Sequence, residues 1–306
     1  MTECFEIMKQ EWNNKKQVKL SGFVRVIDFL NEDEFSNMKL KDQIKLIATD
    51  MDGTLVNDAK EVPASFDQWV LDHPQVQMVI ASGRPYYTNE KLFGKIADHL
   101  IFIGDNGGVI YQNGKFLYEQ ALTADEALFC LKLFEVNPSA SPILCGASQA
   151  ICYDPKGDEE LSRQLDTYYI KRRYVKQLEA EVASDKIIKF TVYFKNQGAE
   201  EAYRKLPPMP ENLTAVLAGA DWIDIVNKQV SKGAALRQIE RLKGLKREET
   251  LAFGDYLNDY TMLQEAGHSY AMVNGHPDLK AIADHIAPSN NDEGVMQVLK
   301  AIFDQD

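Results

Sequence analysis

Four short stretches of this 306-residue chain combine acidic, basic and hydroxyl side chains with glycine in a pattern that could do chemistry. Asp50-Met51-Asp52-Gly53-Thr54-Leu55 sets two carboxylates two residues apart, directly behind the apolar run Ile44–Thr49. Carboxylates at the end of a buried strand are costly unless a cation or a function compensates them. Ser82-Gly83-Arg84-Pro85 follows a second apolar run, Val76–Ala81, and brings a hydroxyl to a backbone turn. Ser231-Lys232-Gly233 puts an ammonium at a predicted helix start, where the macrodipole disfavours a cation. Gly254-Asp255-Tyr256-Leu257-Asn258-Asp259 is acidic again, behind the run Thr250–Phe253. Each stretch alone has an ordinary reading: an Asx turn, a plain turn, a solvated helix lysine, a helix cap. Their joint occurrence in this order is what points to a phosphoryl site.

The chemistry follows from charge. A phosphate monoester dianion repels a carboxylate nucleophile, so a nearby cation must screen both. Hard oxygen ligands with retained water suit Mg²⁺. Asp50 is the expected nucleophile, attacking phosphorus in line to give an aspartyl phosphate. Asp52 is the expected general acid/base: it protonates the leaving alkoxide, then deprotonates the water that hydrolyses the intermediate. Ser82 is assigned a hydrogen bond to a transferring phosphoryl oxygen, and Lys232 neutralises charge on the same group. Asp255 completes the metal site, Asn258 is assigned to phosphate, and Asp259 orients Lys232 or a metal-bound water. Gly53 and Gly83 let the backbone approach the phosphate closely.

These residues need a frame. The runs Ile44–Thr49, Val76–Ala81, Leu100–Gly104, Thr250–Phe253 and Ser269–Val273 are almost continuously apolar, as strands covered on both faces must be. Helices are expected around Ser65–Leu71, Ser231–Lys243, Asp259–Glu265 and Glu293–Phe303, with Ser231 as a capping hydroxyl and Gly244 as a stop. The alternation predicts an open, doubly wound α/β core, whose ligands bind beyond the carboxyl ends of its strands. Asn113-Gly114 between Val109–Gln112 and Lys115–Tyr118 predicts a hairpin. From 121 to 220 the pattern changes: helical segments mix with strands such as Ile187–Phe194 and Leu213–Leu217. We expect a core of 43–120 and 221–306 interrupted by an α+β cap at 121–220, which closes as a lid over the site.

DMDGTL, SGRP, SKG and GDYLND, in that order, resemble the four motifs of the haloacid dehalogenase-like superfamily of phosphotransferases. Asn106-Gly107-Gly108 and the long segment between the second and third motifs are similar to the Cof-type (IIB) phosphatase subfamily, whose cap lies there. The resemblance covers 43–306; Ser82 stands where Thr is also common, and Gly108 where Ala is frequent, and neither touches the reacting groups. It implies a Rossmann-like core, a metal site of Asp50, Asp52 and Asp255 in which Asp52 uses its backbone carbonyl, and broad use of small phosphorylated metabolites. A phosphomutase is the alternative within catalysis, and a catalytically silent phospholigand-binding regulator the alternative outside it. Asp52 argues against the latter, because a mere binder has no use for it.

Composition removes other classes. Hydrophobic residues at 45% and charged residues at 26% exclude a disordered or fibrous chain. A net charge of −12 disfavours nucleic acid and anionic membranes, so phosphate must be met by a local cation. No window approaches a membrane span of ~18 apolar residues, and no signal peptide is recognisable. Cys4, Cys130, Cys145 and Cys152 form no C-x-x-C pair, no His cluster accompanies Cys145 and Cys152 to favour a metal over core thiols, and all four read as reduced thiols of a cytoplasmic protein. No G-x-S-x-G elbow or Walker loop is present. Lys171-Arg172-Arg173 reads as a solvated surface, and the five histidines as surface or core residues. Residues 1–37 match none of these patterns, and Met38 is the expected true start. The sequence leaves the substrate and the oligomeric state open.

Overall fold

The computed structural model describes residues 40–304, apart from 219. The expectation about residues 1–37 lies outside the described residues. Gln43–Lys300 form one compact unit.

Its centre is an eight-stranded sheet of order β14-β13-β12-β1-β2-β3-β4-β5. The strands are β1 (Leu46–Asp50), β2 (Gln77–Ala81), β3 (Leu100–Gly104), β4 (Val109–Gln112), β5 (Lys115–Glu119), β12 (Thr250–Gly254), β13 (His268–Met272) and β14 (His285–Ala287). Pairings from β14 through β3 are parallel, while β3–β4 and β4–β5 are antiparallel. Leu46, Ala48, Val79, Ala81, Ile101, Ile103 and Ala252 lie under the helix Lys232–Lys243 through Ala235, Leu236 and Ile239. A strand covered on both faces must be apolar at consecutive positions, which is why IKLIAT reads as it does. The fold is the mixed α/β arrangement with a central parallel sheet that the sequence predicted.

Register decides where the motifs meet. Asp50 pairs with Ala81, Thr49 with Phe253, and Ala81 with Ile103. The residues that follow β1, β2, β3 and β12 therefore emerge at one edge. The chain leaves β1 toward β2 on one side and returns as β12 on the other, so a switch-point crevice opens beyond β1 and β12.

Local signals hold at both ends of the Lys232–Lys243 helix: Ser231 Oγ accepts from the Ala234 N–H at 3.1 Å, and Gly244 takes a left-handed φ of 68°. Asn113 and Gly114 have φ of 50° and 75°, as a two-residue hairpin turn requires.

The segment between β5 and that helix builds its own six-stranded sheet of order β10-β11-β9-β6-β7-β8. Its strands are β6 (Ala140–Gly146), β7 (Ala150–Tyr153), β8 (Arg172–Val175), β9 (Ile187–Phe194), β10 (Leu213–Leu217) and β11 (Trp222–Asn227). Strand β11 pairs antiparallel with both β10 and β9, so this sheet runs past the expected boundary at 220. The helices Ala124–Phe134 and Ala199–Arg204 pack on one face through Ala127, Leu131, Phe134 and Ala199 against Leu144, Phe190, Val192 and Ile225. The helix Glu159–Tyr168 covers part of the other through Leu161 and Leu165. Arg172 and Arg173 are engaged by Asp166 and Glu181 at 2.5 and 2.7 Å. Cys130, Cys145 and Cys152 are free, buried thiols. Among the described residues no helix is long and apolar enough to cross a membrane.

Candidate active site

Asp50 ends β1 and is 6% exposed; Lys232, the first residue of its helix, has no solvent contact. The Lys232 ammonium donates to Asp50 Oδ1 and, at 2.6 Å, to Asp259 Oδ1. Asp255, just past β12, joins them: Asp50, Asp255 and Asp259 each offer a carboxylate oxygen within 4.8 Å of the others. A cation at a helix start is thus balanced by two carboxylates, which answers the dipole objection raised by the sequence.

The balance is nevertheless negative, with three carboxylates around one ammonium. Burial, and then the Asp259 charge, push Asp50 up to about 8 despite Lys232. Burial and Asp259 likewise push Asp255 up to about 6. Lys232 is shifted above the ordinary lysine range: burial pulls it down, but the Asp259 and Asp50 charges outweigh that. Such an excess of buried negative charge is what a hard divalent cation neutralises, so the donor set fits one. The hydrogen bonds indicate which oxygens remain to offer. Asp259 is taken up by Lys232 and by the backbone N–H groups of Asp255 and Tyr256 at 3.1 and 3.3 Å. Asp255 accepts from Thr54 Oγ1 at 3.1 Å.

The remaining expected residues lie around this centre. Asp52 does not join the carboxylate group; its Oδ1 accepts from Arg84 at 2.6 Å and from Lys60 at 2.8 Å. Ser82 is buried, its Oγ accepts the Arg84 N–H at 3.1 Å, and among the described residues it makes no hydrogen bond to the carboxylates. Asn258 turns its amide to Asn106 Oδ1 at 3.0 Å. Gly53 has φ of 84°, and a side chain there would strike the Asp255 carboxylate. At Gly83 a Cβ would meet the Asn106 amide at 3.1 Å.

Sequence reasoning assigned no role to Arg84, Lys60, Thr54 or Asn106. Arg84 and Thr54 stand inside the quoted motifs, and a basic residue two positions from a strand-end hydroxyl was the available signal. Lys60 lies in a loop and carried none.

The chain is similar to known proteins over most of its length. The family model for haloacid dehalogenase-like hydrolases matches residues 47–299. The 5-amino-6-(5-phospho-D-ribitylamino)uracil phosphatase YbjI of Escherichia coli is 30% identical over 266 residues, covering 85% of this chain and 96% of its own. A solved structure from Eubacterium rectale superposes with a TM-score of 0.77 at 30% identity, over 85% of this chain and all of the other. A HAD subclass IIB sugar phosphatase shares the fold, with a TM-score of 0.69 at 22% identity over 84% of this chain and 98% of that one. The chain belongs to the haloacid dehalogenase-like hydrolase family and is a phosphatase.

Proposed function

We propose that this protein is an Mg²⁺-dependent phosphatase that hydrolyses a small phosphorylated metabolite through an aspartyl phosphate on Asp50. The observation that carries the reading is the convergence of Asp50, Asp255, Asp259 and Lys232 at the carboxyl edge of β1 and β12. Asp50 and Asp255, with the Asp52 carbonyl, would hold the ion; when bound, it would offset the charge of carboxylate and phosphate. Lys232 holds Asp50 Oδ1, which leaves Oδ2 to attack phosphorus. Arg84 and Lys60 both grip Oδ1 of Asp52, leaving its Oδ2 to give a proton to the leaving oxygen and to take one from the attacking water. Ser82 would donate to a phosphoryl oxygen, with Gly83 beside it, and Asn258, whose amide gives one N–H to Asn106, would offer the other to the same group. Asp259 fixes Lys232 in place.

The segment from about 121 to 227 serves as the cap and selects the leaving group, and the protein works in the cytoplasm. A 5-phosphoribityl compound, the kind of substrate named for the E. coli relative, is the first candidate. A phosphomutase would share the aspartyl phosphate but return the group to sugar, so release of free phosphate separates the two.

Asp50→Asn should lower turnover of p-nitrophenyl phosphate by ~10³-fold or more, because no covalent intermediate can form. EDTA should silence the wild type and Mg²⁺ restore it. Substantial turnover by the variant removes the nucleophile assignment; indifference to chelation removes the metal.

A further inference from the structure

Strand β9 is buried at every position, and Lys189 sits in it at 4% exposure. An ammonium in a dry strand is costly unless its partners are well placed, and an apolar side chain would fill the space at less expense. Its partners come from both sheets. Asp224 Oδ2, on the neighbouring strand β11, lies 3.1 Å from Nζ and belongs to the second sheet. Asp105 Oδ1 at 3.5 Å and the Gly83 carbonyl at 3.4 Å belong to loops at the phosphoryl edge of the first. Burial pulls the Lys189 ammonium down, but the Asp224 and Asp105 charges outweigh this and hold it protonated.

Asp105 opens a turn, Asp105-Asn106-Gly107, whose φ angles of 50°, 56° and 110° are all left-handed. Non-glycine residues rarely adopt that region, so the surroundings must hold it there. The turn touches three of the four motifs. The Asp105 and Asn106 N–H groups donate to the carbonyls of Arg84 and Ser82 at 3.1 and 3.0 Å. Asn106 Oδ1 receives Asn258, and Gly107 lies against the Ser231 carbonyl at the head of the Lys232 helix. Gly108 is packed against Ile188, the residue before Lys189.

We propose that Lys189 is a positioning residue for phosphoryl transfer: its ammonium, set in the second sheet, clamps Asp105 and the Gly83 carbonyl and so holds the turn that aligns Ser82, Asn258 and the Lys232 helix. This rests on the reading of those residues as the phosphoryl site. Lys189 itself touches no reacting atom.

The test uses the full chain as Lys189→Met, Lys189→Arg, Asp105→Asn and the Lys189→Met/Asp105→Asn double variant, with Asp50→Asn alongside. Melting curves establish folding; kcat and KM for p-nitrophenyl phosphate and the inhibition constant of inorganic phosphate are then measured. Lys189→Met should lower kcat ~10-fold or more and weaken phosphate inhibition several-fold, because phosphate has no leaving group for a cap to contact. Lys189→Arg should recover most of kcat, Asp105→Asn should match Lys189→Met, and the double variant should be little worse than either single one. A folded Lys189→Met with kcat within ~2-fold of wild type overturns the proposal. So does an effect confined to KM with phosphate inhibition unmoved, which would make Lys189 a leaving-group contact. If Lys189→Met does not fold, Asp105→Asn, which keeps the Lys189–Asp224 pair, decides by the same readouts. An active Asp50→Asn defeats the site reading instead, and is told apart because it leaves the Lys189 variants' losses unexplained by any phosphoryl centre at Asp50.

Discussion

A lysine without solvent contact, Lys232, lies between Asp50 and Asp259, and Asp255 closes on the same point. At this scale the chemistry is a matter of unbalanced charge. With Asp50 pushed up to about 8 and Asp255 to about 6, the metal-free site carries protons near neutrality that a cation must displace. Mg²⁺ binding should therefore release protons, and its apparent affinity should strengthen as pH rises from about 6 to about 8. Calorimetric titration in buffers of different ionisation enthalpy reads this directly; a heat independent of buffer would count against the charge argument. Asp52 stands apart from this centre because Arg84 and Lys60 hold it. The two aspartates that look alike in DMDGTL are thus given different surroundings, as the proposed roles of nucleophile and proton carrier require.

Secondary elements set the tolerances. The turn at Asp105–Gly107 and the hairpin turn at Asn113-Gly114 both use left-handed backbone, but only the first lies against other elements. In Gly107→Ala the new methyl runs into the Ser231 carbonyl as well as meeting a φ of 110°. It should cost about 1–3 kcal/mol of stability and ~10-fold or more in kcat, by displacing the helix start that carries Lys232. Gly114→Ala meets open space at φ of 75°. It should cost about 1 kcal/mol and leave kcat unchanged. Urea denaturation with steady-state assays compares the two, and equal effects on kcat would deny the turn its part in the site. The NGG residues stand out in the sequence, but the reason for them does not, because Ser231 and Asn258, which they meet, lie over a hundred residues away in the chain.

Across the whole molecule, two sheets meet through buried charge at Lys189, Asp105 and Asp224. Burial raises Asp105 to about 6 from an ordinary value of 3.8, with Lys189 opposing and Asp224 adding to the shift. A folded-state pKa above the unfolded one means the folded protein binds the proton more tightly. The associated stability is therefore full below about 3.8 and is lost as pH rises through about 6. The wild type should lose about 3 kcal/mol relative to Asp105→Asn across that window and stay level above it. Denaturation series from pH 4 to 7.5 measure the difference; a gap that widens in favour of the wild type with rising pH contradicts the burial argument. Mg²⁺ should add stability in the same assays, by about 2.7 kcal/mol at a hundredfold excess over its Kd, and Asp50→Asn should diminish that gain.

What the sequence determined by itself is local. Continuous apolarity over IKLIAT and VQMVIA specified strands covered on both faces, a serine and a glycine bounded the Lys232–Lys243 helix, and polar motifs behind each run marked the functional edge. These signals depend on neighbours within a few residues, so they survive without a fold. Tertiary structure alone decided the rest. Asp259 reached Lys232 and lay beside Asp255, Asp52 was claimed by Arg84 and Lys60, and β11 joined the second sheet beyond residue 220. Lys189, an unmarked residue in an apolar strand, found its two carboxylates 84 and 35 positions away. Charge pairing acts through space, and no periodicity along the chain records which distant partner a buried charge will meet.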